Sequence, residues 1–428
     1  MLQLKPHPDN SFVCPKCGAE QPRINQFRFE SINIFADCFC NKCGFEFYQV
    51  LPVGHTVNYR ISIGKKSGKI YKPHGCPGWL SLSLSKAHQE KRVTEVSIEK
   101  IIFKQCNNVV ILNTLDSLYG HVLLKLYNIF YHIDHQPDVG LIVIIPKIFK
   151  WLIPKGCAEA WVVDLTLSEL KFNYESIQKF VANQFDRFLE IHLSKAFSHP
   201  NLGPFDIERL TSVKPFDLEK FSQQRPVVTF VLREDRWWFK SKIDFWFYRV
   251  CRKLKILSWG SHIHSERQNQ LVKCVIKLMK EEIKDIEFFV VGLGEIGNFE
   301  DDATDLRYRY INSSIEMDWC KIYAQSHAVI GIHGSNMLLP TALAAGCVEI
   351  LPEDRYGNML QDISVRYHDR RQLFFYRFAD QFASPGSVAE KAVAILCDYE
   401  IFKTNMCINI YSDATSMTSL MQVDDSNH

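Results

Sequence analysis

The sequence lacks several features that would place it at once in a broad class of proteins. It contains no stretch of about 18 consecutive apolar residues, so it predicts no transmembrane helix. Its first ten residues are polar and include two prolines, which is unlike a signal peptide. The net charge is only +2 over 428 residues, so charge alone indicates no attraction to nucleic acid.

A carboxylate motif for a catalytic metal is also lacking, since Asp301 and Asp302 form only an adjacent pair in an acidic turn. Disulfide spacing is lacking too, although the chain has 14 cysteines. Many of these, such as Cys274, Cys347 and Cys397, stand alone in apolar segments, where a reduced thiol acts as a small hydrophobic group. These placements predict a reducing, cytoplasmic compartment.

Two C-x-x-C-G motifs stand near the N-terminus. Each places two thiolates on a tight turn whose glycine allows a positive backbone φ, and two such turns supply a closed tetrahedral site. A gap of 22 residues between the pairs leaves room for a β-hairpin. A single motif would also be typical of a redox pair, and Cys38 is a spare thiol that could replace Cys40. We predict a structural Zn²⁺ bound by Cys14, Cys17, Cys40 and Cys43.

Strand-like and helix-like segments alternate from about residue 105 onward, which is typical of βαβ units and parallel sheets. Strands are predicted at 109–112, 141–145, 161–164, 227–232, 287–291, 328–332, 347–351 and 373–376. Helices are predicted at 121–132, 174–197, 268–283, 317–325 and 337–345.

The predicted fold class is α/β, with two Rossmann-like domains preceded by a small zinc ribbon. A segment rich in proline and glycine at 198–226 is the predicted linker between these domains. The predicted divisions are a zinc ribbon at 1–50, a β-rich connector at 51–104, an N-terminal Rossmann-like acceptor domain at 105–215, a C-terminal Rossmann-like nucleotide-sugar domain at 225–405 and a disordered tail at 413–428.

The segment at 328–362 is the most informative about function. An apolar strand ends at the run from His333 to Asn336, and a helix is expected to begin at once. Backbone N–H groups at a helix start suit a diphosphate, and Gly334 permits close approach of the ligand. The next strand ends at Glu349 and Glu353, whose carboxylates could accept hydrogen bonds from ribose. The alternative is a common strand–helix turn in which Ser335 is the N-cap.

The run VIGIHGSN, followed by VEILPED, resembles the C-terminal signature of glycosyltransferase family 61. Two upstream segments are also similar to this family, TFVLREDR at 229–236 and NTLDSLYGH at 113–121. The resemblance covers about residues 105–400 and leaves out the cysteine motifs. The sequence departs from the commonest family form at Asn336 and at the following Met337–Pro340.

This resemblance implies a GT-B fold and transfer of a hexose or pentose from a nucleotide sugar, with inversion and without a catalytic metal. The leaving nucleoside diphosphate would be stabilised by Arg233 and Arg236 and by the turn of His333, Gly334, Ser335 and Asn336. The alternative for the two arginines is a surface ion-pair cluster with Glu234 and Asp235.

An inverting transfer needs a general base on the acceptor hydroxyl. His121 is the first candidate because its unperturbed pKa lies near neutrality, and Asp116 is either the alternative base or the group that orients it. The alternative for His121 is a histidine near a helix start that only packs or caps. We expect these groups to face the donor site across an interdomain cleft.

The expected partners are a nucleotide sugar and a glycan or glycoconjugate acceptor, as in polysaccharide biosynthesis. Aromatic and basic residues alternate over Trp237–Lys255, which leaves open a peripheral contact with the inner face of a membrane, although a core helix with a basic flank is favoured. Two other functions stay open: a nucleic-acid- or protein-binding zinc module, and another nucleotide-sugar enzyme such as an epimerase. Nucleic acid is not expected, because the basic residues around the cysteines are scattered.

Overall fold

The chain folds into two compact units, which comprise residues 1–202 with 209–211 and residues 203–208 with 212–428. The computed structural model describes residues 1–200, 205–254, 257–295, 299, 302–361, 363–364, 366 and 370–406, with the backbone alone at 257–261. The predicted tail at 413–428 lies outside the described residues. Among the helices described, none combines the length and the apolarity needed to cross a membrane.

The first unit contains eleven described strands and four described helices. Its strands are β1 (Leu2–Lys5), β2 (Arg23–Phe29), β3 (Ile34–Phe39), β4 (Glu46–Val50), β5 (Ser62–Gly64), β6 (Ile70–Tyr71), β7 (Ile98–Ile102), β8 (Asn108–Asn113), β9 (Gly140–Pro146), β10 (Glu159–Val163) and β11 (Glu190–Leu193). Its helices are α1 (Gly78–Gln89), α2 (Tyr119–Leu126), α3 (Ile129–His135) and α4 (Glu175–Ala182).

The larger sheet of the first unit has the order β1-β11-β8-β9-β10-β7. Its four central strands are parallel, and both edge strands run antiparallel. Every residue of β9 is buried, which explains why its sequence GLIVIIP is continuously apolar. Helices α2, α3 and α4 connect parallel strands of this sheet, so this part of the unit is a Rossmann-like α/β layer.

The cysteine motifs belong to a second, antiparallel sheet of order β2-β3-β4-β5-β6. This sheet continues past residue 50, where the sequence predicts a boundary, because β5 pairs with β4. Helix α1 covers one face and buries Leu80 and Leu84 against Phe35, Ile61 and Ile63. The first strand, β1, pairs instead with β11 of the larger sheet. The segment that carries the two cysteine motifs (residues 14–44), called the cysteine module below, is therefore part of a sheet with its own apolar core.

A short helix, α5 (Ile207–Thr211), contributes residues to both units. The remaining elements belong to the second unit. Its strands are β12 (Val227–Leu232), β13 (Glu287–Leu293), β14 (Thr304–Tyr308), β15 (Ala328–Ile332), β16 (Gly346–Leu351) and β17 (Tyr376–Asp380). Its helices are α6 (Lys242–Lys253), α7 (Leu257–Glu282), α8 (Ser313–Tyr323), α9 (Leu338–Leu343), α10 (Arg370–Phe375), α11 (Pro385–Cys397) and α12 (Tyr399–Met406).

The six strands described in the second unit are all parallel, in the order β14-β13-β12-β15-β16-β17. Numbered within the unit, this is the order 3-2-1-4-5-6 of a doubly wound dinucleotide-binding sheet. The strand order reverses between β12 and β15, which are neighbours. Ligands of such sheets bind outside the carboxyl ends of the strands at this switch point.

The fold class predicted from the sequence is confirmed, while several elements differ from their predictions. The single helix predicted at 174–197 is wrong, because α4 ends at Ala182 and Glu190–Leu193 forms β11 beside β8. The strand predicted at 373–376 is largely the end of α10, and β17 begins only at Tyr376. Strand β14 was not predicted, because its sequence TDLRY is polar and it lies at the sheet edge.

Candidate functional site

The carboxyl ends of β12 and β15 bring two of the predicted segments together. Arg233 directly follows β12, and its Nη1 donates to Oδ1 of Asn336 over 2.6 Å. Arg236 lies three residues further on, and its Nη1 donates to the carbonyl oxygen of His333 over 2.8 Å. Two guanidinium groups therefore meet the turn after β15 at the switch point of the sheet.

Gly334 makes this close approach possible. Its φ is +151°, and a Cβ added there would overlap the Arg233 guanidinium and lie 3.1 Å from Nη1 of Arg236. A larger residue would therefore push both arginines away from the turn. Glycine at this position keeps the backbone of the turn open to a ligand.

The arginines form a concentrated positive charge at this edge. Arg236 has a lowered pKa, because its guanidinium is partly buried and lies near the positive charges of Arg233 and Arg355. Asp235 offsets part of that charge, since both of its oxygens accept from Arg233 at 2.5 Å. Burial raises the pKa of Asp235, but the hydrogen bond and charge of Arg233 outweigh this and hold it below its usual value. The Asp235 side chain stays 64% exposed, so a competing anion can reach the pair.

The alternative interpretation of the arginines was a surface ion-pair cluster. Of the groups in such a cluster, Asp235 is exposed at the surface, whereas Arg233 is not. Arg233 has only 13% of its side chain exposed and bonds to Asn336 on the neighbouring strand end. Such an inward position is unlike a solvated surface pair. Together these groups offer charged and neutral hydrogen-bond donors to an oxyanion.

Glu349, in β16, and His333, directly after β15, form a buried pair. Nδ1 of His333 lies 3.1 Å from Oε2 of Glu349, and neither side chain has any exposed surface. In this structure the Glu349 carboxylate faces the His333 ring and not a ligand space, which differs from the predicted contact with ribose. Its position suits a group that fixes the turn carrying Gly334.

The remaining predicted donor-site residues lie on short turns. Ser335 begins a 3₁₀ turn, Ser335–Met337, which leads into the six-residue helix α9, so the turn replaces the helix start that was predicted. The N-cap of this turn is Gly334, so Ser335 does not cap it. Glu353 is exposed at the start of the 3₁₀ turn Glu353–Asn358, which also carries Arg355. These residues share the carboxyl edge of β15 and β16, as the sequence pattern indicates.

The four predicted zinc ligands lie close together in the first unit. The Sγ atoms of Cys14 and Cys43 are 3.7 Å apart, and those of Cys17 and Cys40 are 3.6 Å apart. A tetrahedral ion with Zn–S bonds of about 2.3 Å separates its sulfurs by about 3.8 Å. All four thiols are free of disulfides. The donor set and its spacing therefore fit a thiolate-bound metal ion.

Two equivalent turns hold these thiols. The Gly18 N–H donates to the Cys14 carbonyl and the Gly44 N–H to the Cys40 carbonyl, each over 2.9 Å. The two glycines have φ values of +73° and +67°, as the C-x-x-C-G motif predicts. Cys38 points elsewhere, since its Sγ contacts the carbonyl oxygen of Ala36 at 3.5 Å.

The two predicted catalytic residues are also in contact, in the first unit. Nδ1 of His121 lies 3.3 Å from Oδ1 of Asp116, whose other oxygen accepts from Nζ of the buried Lys125 over 2.9 Å. Burial raises the pKa of Asp116, but the charge of Lys125 and the hydrogen bond with His121 outweigh it and hold the pKa well below its usual range. The carboxylate is therefore ionised and held in place by both neighbours.

Two histidines that sequence analysis missed stand beside His121. Nε2 of His55 lies 3.4 Å from Nδ1 of His121, and the ring of His199 lies 5.5 Å from that of His55. Burial and the neighbouring imidazoles lower the pKa of His55 to about 4, so its ring is neutral. No spacing motif connects these histidines, since they come from distant parts of the chain, and only the fold brings them together.

The aromatic and basic segment predicted at Trp237–Lys255 divides into two parts, and Lys255 lies outside the described residues. Trp237, Trp238 and Phe239 are buried, whereas the following α6 exposes 77% of Ile243 and 65% of Trp246. The buried aromatic residues therefore precede α6 and lie outside any helix, whereas the outer face of α6 is exposed, so neither part is the core helix that was favoured.

No family model matches the chain, and no curated protein matches it. Among solved structures, it is similar to the E. coli ADP-heptose lps heptosyltransferase II, with 10% identity, 68% of this chain and 99% of the other covered, and a TM-score of 0.36. A glycosyl transferase family 9 protein from Veillonella parvula gives 8% identity, coverage of 70% and 100%, and a TM-score of 0.39. A putative UDP-N-acetylglucosamine 2-epimerase from Listeria monocytogenes gives 8%, 70% and 89%, and 0.32. TM-scores this low decide neither fold nor activity.

Proposed function

We propose that the chain is a nucleotide-sugar-dependent glycosyltransferase and that its second unit binds the donor. The observation that carries this proposal is the meeting of Arg233 and Arg236 with the Gly334 turn at the sheet's switch point. Loss of a nucleoside diphosphate leaves negative charge on the leaving group, and preorganised guanidinium groups stabilise such charge. The resemblance of the same segments to glycosyltransferase family 61 supports the same reaction class.

The residues have distinct roles in this proposal. Arg233, Arg236 and the turn Gly334–Asn336 contact the diphosphate, and Asn336 also orients Arg233 through its Oδ1. His333 and Glu349 form the buried support beneath the turn. Glu353, being exposed beyond β16, is the remaining candidate for the ribose hydroxyls. The transfer inverts the anomeric centre, as the resemblance to glycosyltransferase family 61 implies.

The acceptor hydroxyl must lose a proton during transfer, and we assign that step to the cluster around His121 in the first unit. The ionised Asp116 holds His121 in place, so Asp116 orients the histidine and does not accept the proton. The acceptor is a glycan or glycoconjugate. We also propose that the ion bound by Cys14, Cys17, Cys40 and Cys43 is Zn²⁺ with a structural role, since four thiolates leave no position open.

Nucleotide binding tests the donor site directly. Isothermal titration of the wild type with UDP, GDP and ADP, with and without their sugars, should identify one bound nucleotide. Arg233→Ala and Arg236→Ala should each weaken its binding by about 10- to 100-fold, because each removes charge-assisted hydrogen bonds. Arg225→Ala is the matched control, since Arg225 lies at the opposite end of β12 and pairs with Glu287 at 3.1 Å.

A lack of binding by every nucleotide diphosphate and nucleotide sugar would contradict the proposal, as would equal losses in Arg225→Ala and Arg233→Ala. Product analysis then separates the reaction classes. A transferase releases the nucleoside diphosphate only when an acceptor glycan is present, whereas an epimerase changes the sugar without any acceptor. Retention of RNA or DNA by the cysteine module, without nucleotide binding, would favour the binding-module alternative.

A further inference from the structure

Three histidines from three separate segments converge in the first unit. His55 lies in the 3₁₀ turn Gly54–Asn58, His121 in the first turn of α2, and His199 in the segment after β11. One ring nitrogen of each lies within 4.8 Å of the corresponding nitrogens of the other two. Imidazole nitrogens gathered from distant segments are the donor set that divalent transition metals prefer.

The spacing of two of these nitrogens matches that of ligands on one metal ion. Nε2 of His55 and Nδ1 of His121 are 3.4 Å apart. A tetrahedral ion with Zn–N bonds of about 2.1 Å separates its nitrogens by about 3.4 Å. His199 is exposed, so its ring can turn to close the remaining distance without repacking a core.

The surrounding groups hold two of the rings in place. The Gly54 N–H donates to the carbonyl of Lys195 over 2.8 Å, which ties the turn of His55 to the segment that carries His199. Asp116 lies 3.3 Å from the same nitrogen of His121 that faces His55, and Lys125 fixes that carboxylate from the other side. The carboxylate therefore lies on the side of the His121 ring that would face the ion, where its negative charge favours a bound cation.

The charges around the site also permit a cation. Lys125 is the nearest buried positive charge, and its Nζ is neutralised by Asp116 at 2.9 Å while also donating to the Leu115 carbonyl over 2.8 Å. The Lys125–Asp116 ion pair adds no net charge to the site. A divalent ion therefore meets no uncompensated positive group among the described residues.

We propose that His55, His121 and His199 bind a divalent transition-metal ion in a second metal site, distinct from the four thiolates. Three protein nitrogens leave a coordination position for water or a hydroxyl group, which is the open arrangement of a reactive metal site rather than a structural one. This site goes beyond the proposed function and does not depend on it. It changes the proposed role of His121 in the proton transfer. A metal ion bound to Nδ1 prevents His121 from acting as the general base, so the oxygen at the open coordination position would accept the proton instead.

Metal stoichiometry tests the site on the full chain. Protein stripped with a chelator and reloaded with Zn²⁺ should contain two ions per chain by mass spectrometry of the metal, one in each site. His199→Ala is the preferred variant, because His199 is exposed and its loss leaves the core intact. We expect His199→Ala and His55→Ala to retain one ion and to bind the second at least tenfold more weakly.

Two comparisons make the result specific. His135→Ala is the matched control, since His135 is an exposed histidine of α3 in the same unit, and it should retain both ions. Loading with Co²⁺ separates the sites, because only the thiolate site gives sulfur-to-metal charge-transfer absorption. The histidine variants should therefore keep that band and lose only the weak d–d absorption of a nitrogen-bound ion.

A single ion per wild-type chain, or two ions retained in both His55→Ala and His199→Ala, would overturn the proposal. Near-ultraviolet circular dichroism of each variant shows whether its fold is kept. Nucleotide binding by the second unit is measured on the same preparations. Loss of the second ion in the histidine variants with unchanged nucleotide binding supports the metal site and does not contradict the donor site. The failure of one proposal can therefore be distinguished from the failure of the other.

Discussion

At the residue scale, Gly334 decides whether two arginines can reach the turn after β15. Its positive φ and the overlap of any Cβ with the Arg233 guanidinium predict that Gly334→Ala displaces the arginines. We expect nucleotide affinity to fall at least tenfold in titration calorimetry. The free energy of unfolding should fall by about 1–3 kcal/mol, because a φ of +151° with a ψ of 174° is adopted almost only by glycine. Gly357→Ala is the matched control, because a Cβ there meets nothing within 4 Å. Equal affinities of the two variants would contradict the assigned role of Gly334.

His327 predicts a pH dependence of stability in the second unit. Its side chain is buried, Nδ1 accepts from the Val227 N–H over 3.2 Å, and Nε2 lies 2.9 Å from the Phe221 carbonyl. Burial lowers its pKa below 6.5, although the hydrogen bond to Phe221 opposes this. The unfolded chain therefore binds more protons below about pH 6.5, and stability falls as the pH drops through that value.

Denaturant unfolding of the second unit between about pH 7.5 and pH 5.5 measures this effect. His327→Gln keeps a side-chain donor and does not titrate, so its stability should change less over the same range. A wild type and variant with parallel pH profiles would show that His327 does not contribute to the acid sensitivity.

At the element scale, the segment around α6 separates buried from exposed aromatic residues. Trp238 is buried, and its Nε1 donates to the Ala383 carbonyl over 2.9 Å, whereas Trp246 exposes 65% of its surface. We expect Trp238→Ala to lower the free energy of unfolding by about 3–5 kcal/mol and Trp246→Ala by less than about 0.5 kcal/mol. Denaturant unfolding measures both, and a large loss in Trp246→Ala would mean that its face of α6 is covered.

The exposed face of α6 keeps membrane contact open as a prediction. Ile243 and Trp246 lie among basic residues of the helix, which is typical of surfaces that touch anionic lipid. Flotation of the wild type and of Ile243→Ser/Trp246→Ser with anionic vesicles decides the matter. Binding by the wild type alone supports contact through this face, whereas no binding by either protein removes it.

Element prediction succeeded where sequence and packing agree. The continuous apolar runs at Val227–Leu232 and Ala328–Ile332 predict buried parallel strands, and β12 and β15 have these bounds. It failed at β11, because the short alternating segment EIHL was included in a longer helical pattern, whereas it pairs with β8 as a strand. Pairing partners distant in sequence override local preference in such short segments.

At the scale of the whole molecule, the two units have separate cores, so metal removal should affect one of them. Stripping the thiolate-bound ion removes a cross-link between the turns at Cys14–Cys17 and Cys40–Cys43. Hydrogen exchange by mass spectrometry should then become faster in β2–β4, because metal binding supplies part of their folding free energy. We expect β12 and β15 to keep their protection.

Cys40→Ser should reproduce this change without chelator, and Cys38→Ser should not, since Cys38 lies outside the metal cluster. Fast exchange confined to the turns themselves would mean that the ion does not stabilise the sheet. Restored protection after adding back Zn²⁺, but not Mg²⁺, would match the thiolate donor set.

The sequence by itself determined the features that depend on local spacing. Two C-x-x-C-G turns predict their own metal site, and apolar strands ending in polar residues predict the α/β class and the edge where Arg233 and Gly334 lie. Only the tertiary structure decided which distant residues meet. It turned Glu349 inward against His333 and brought His55 and His199 to His121. Spacing along the chain encodes a turn or a strand, whereas contacts between segments depend on strand order and packing, which no single segment contains.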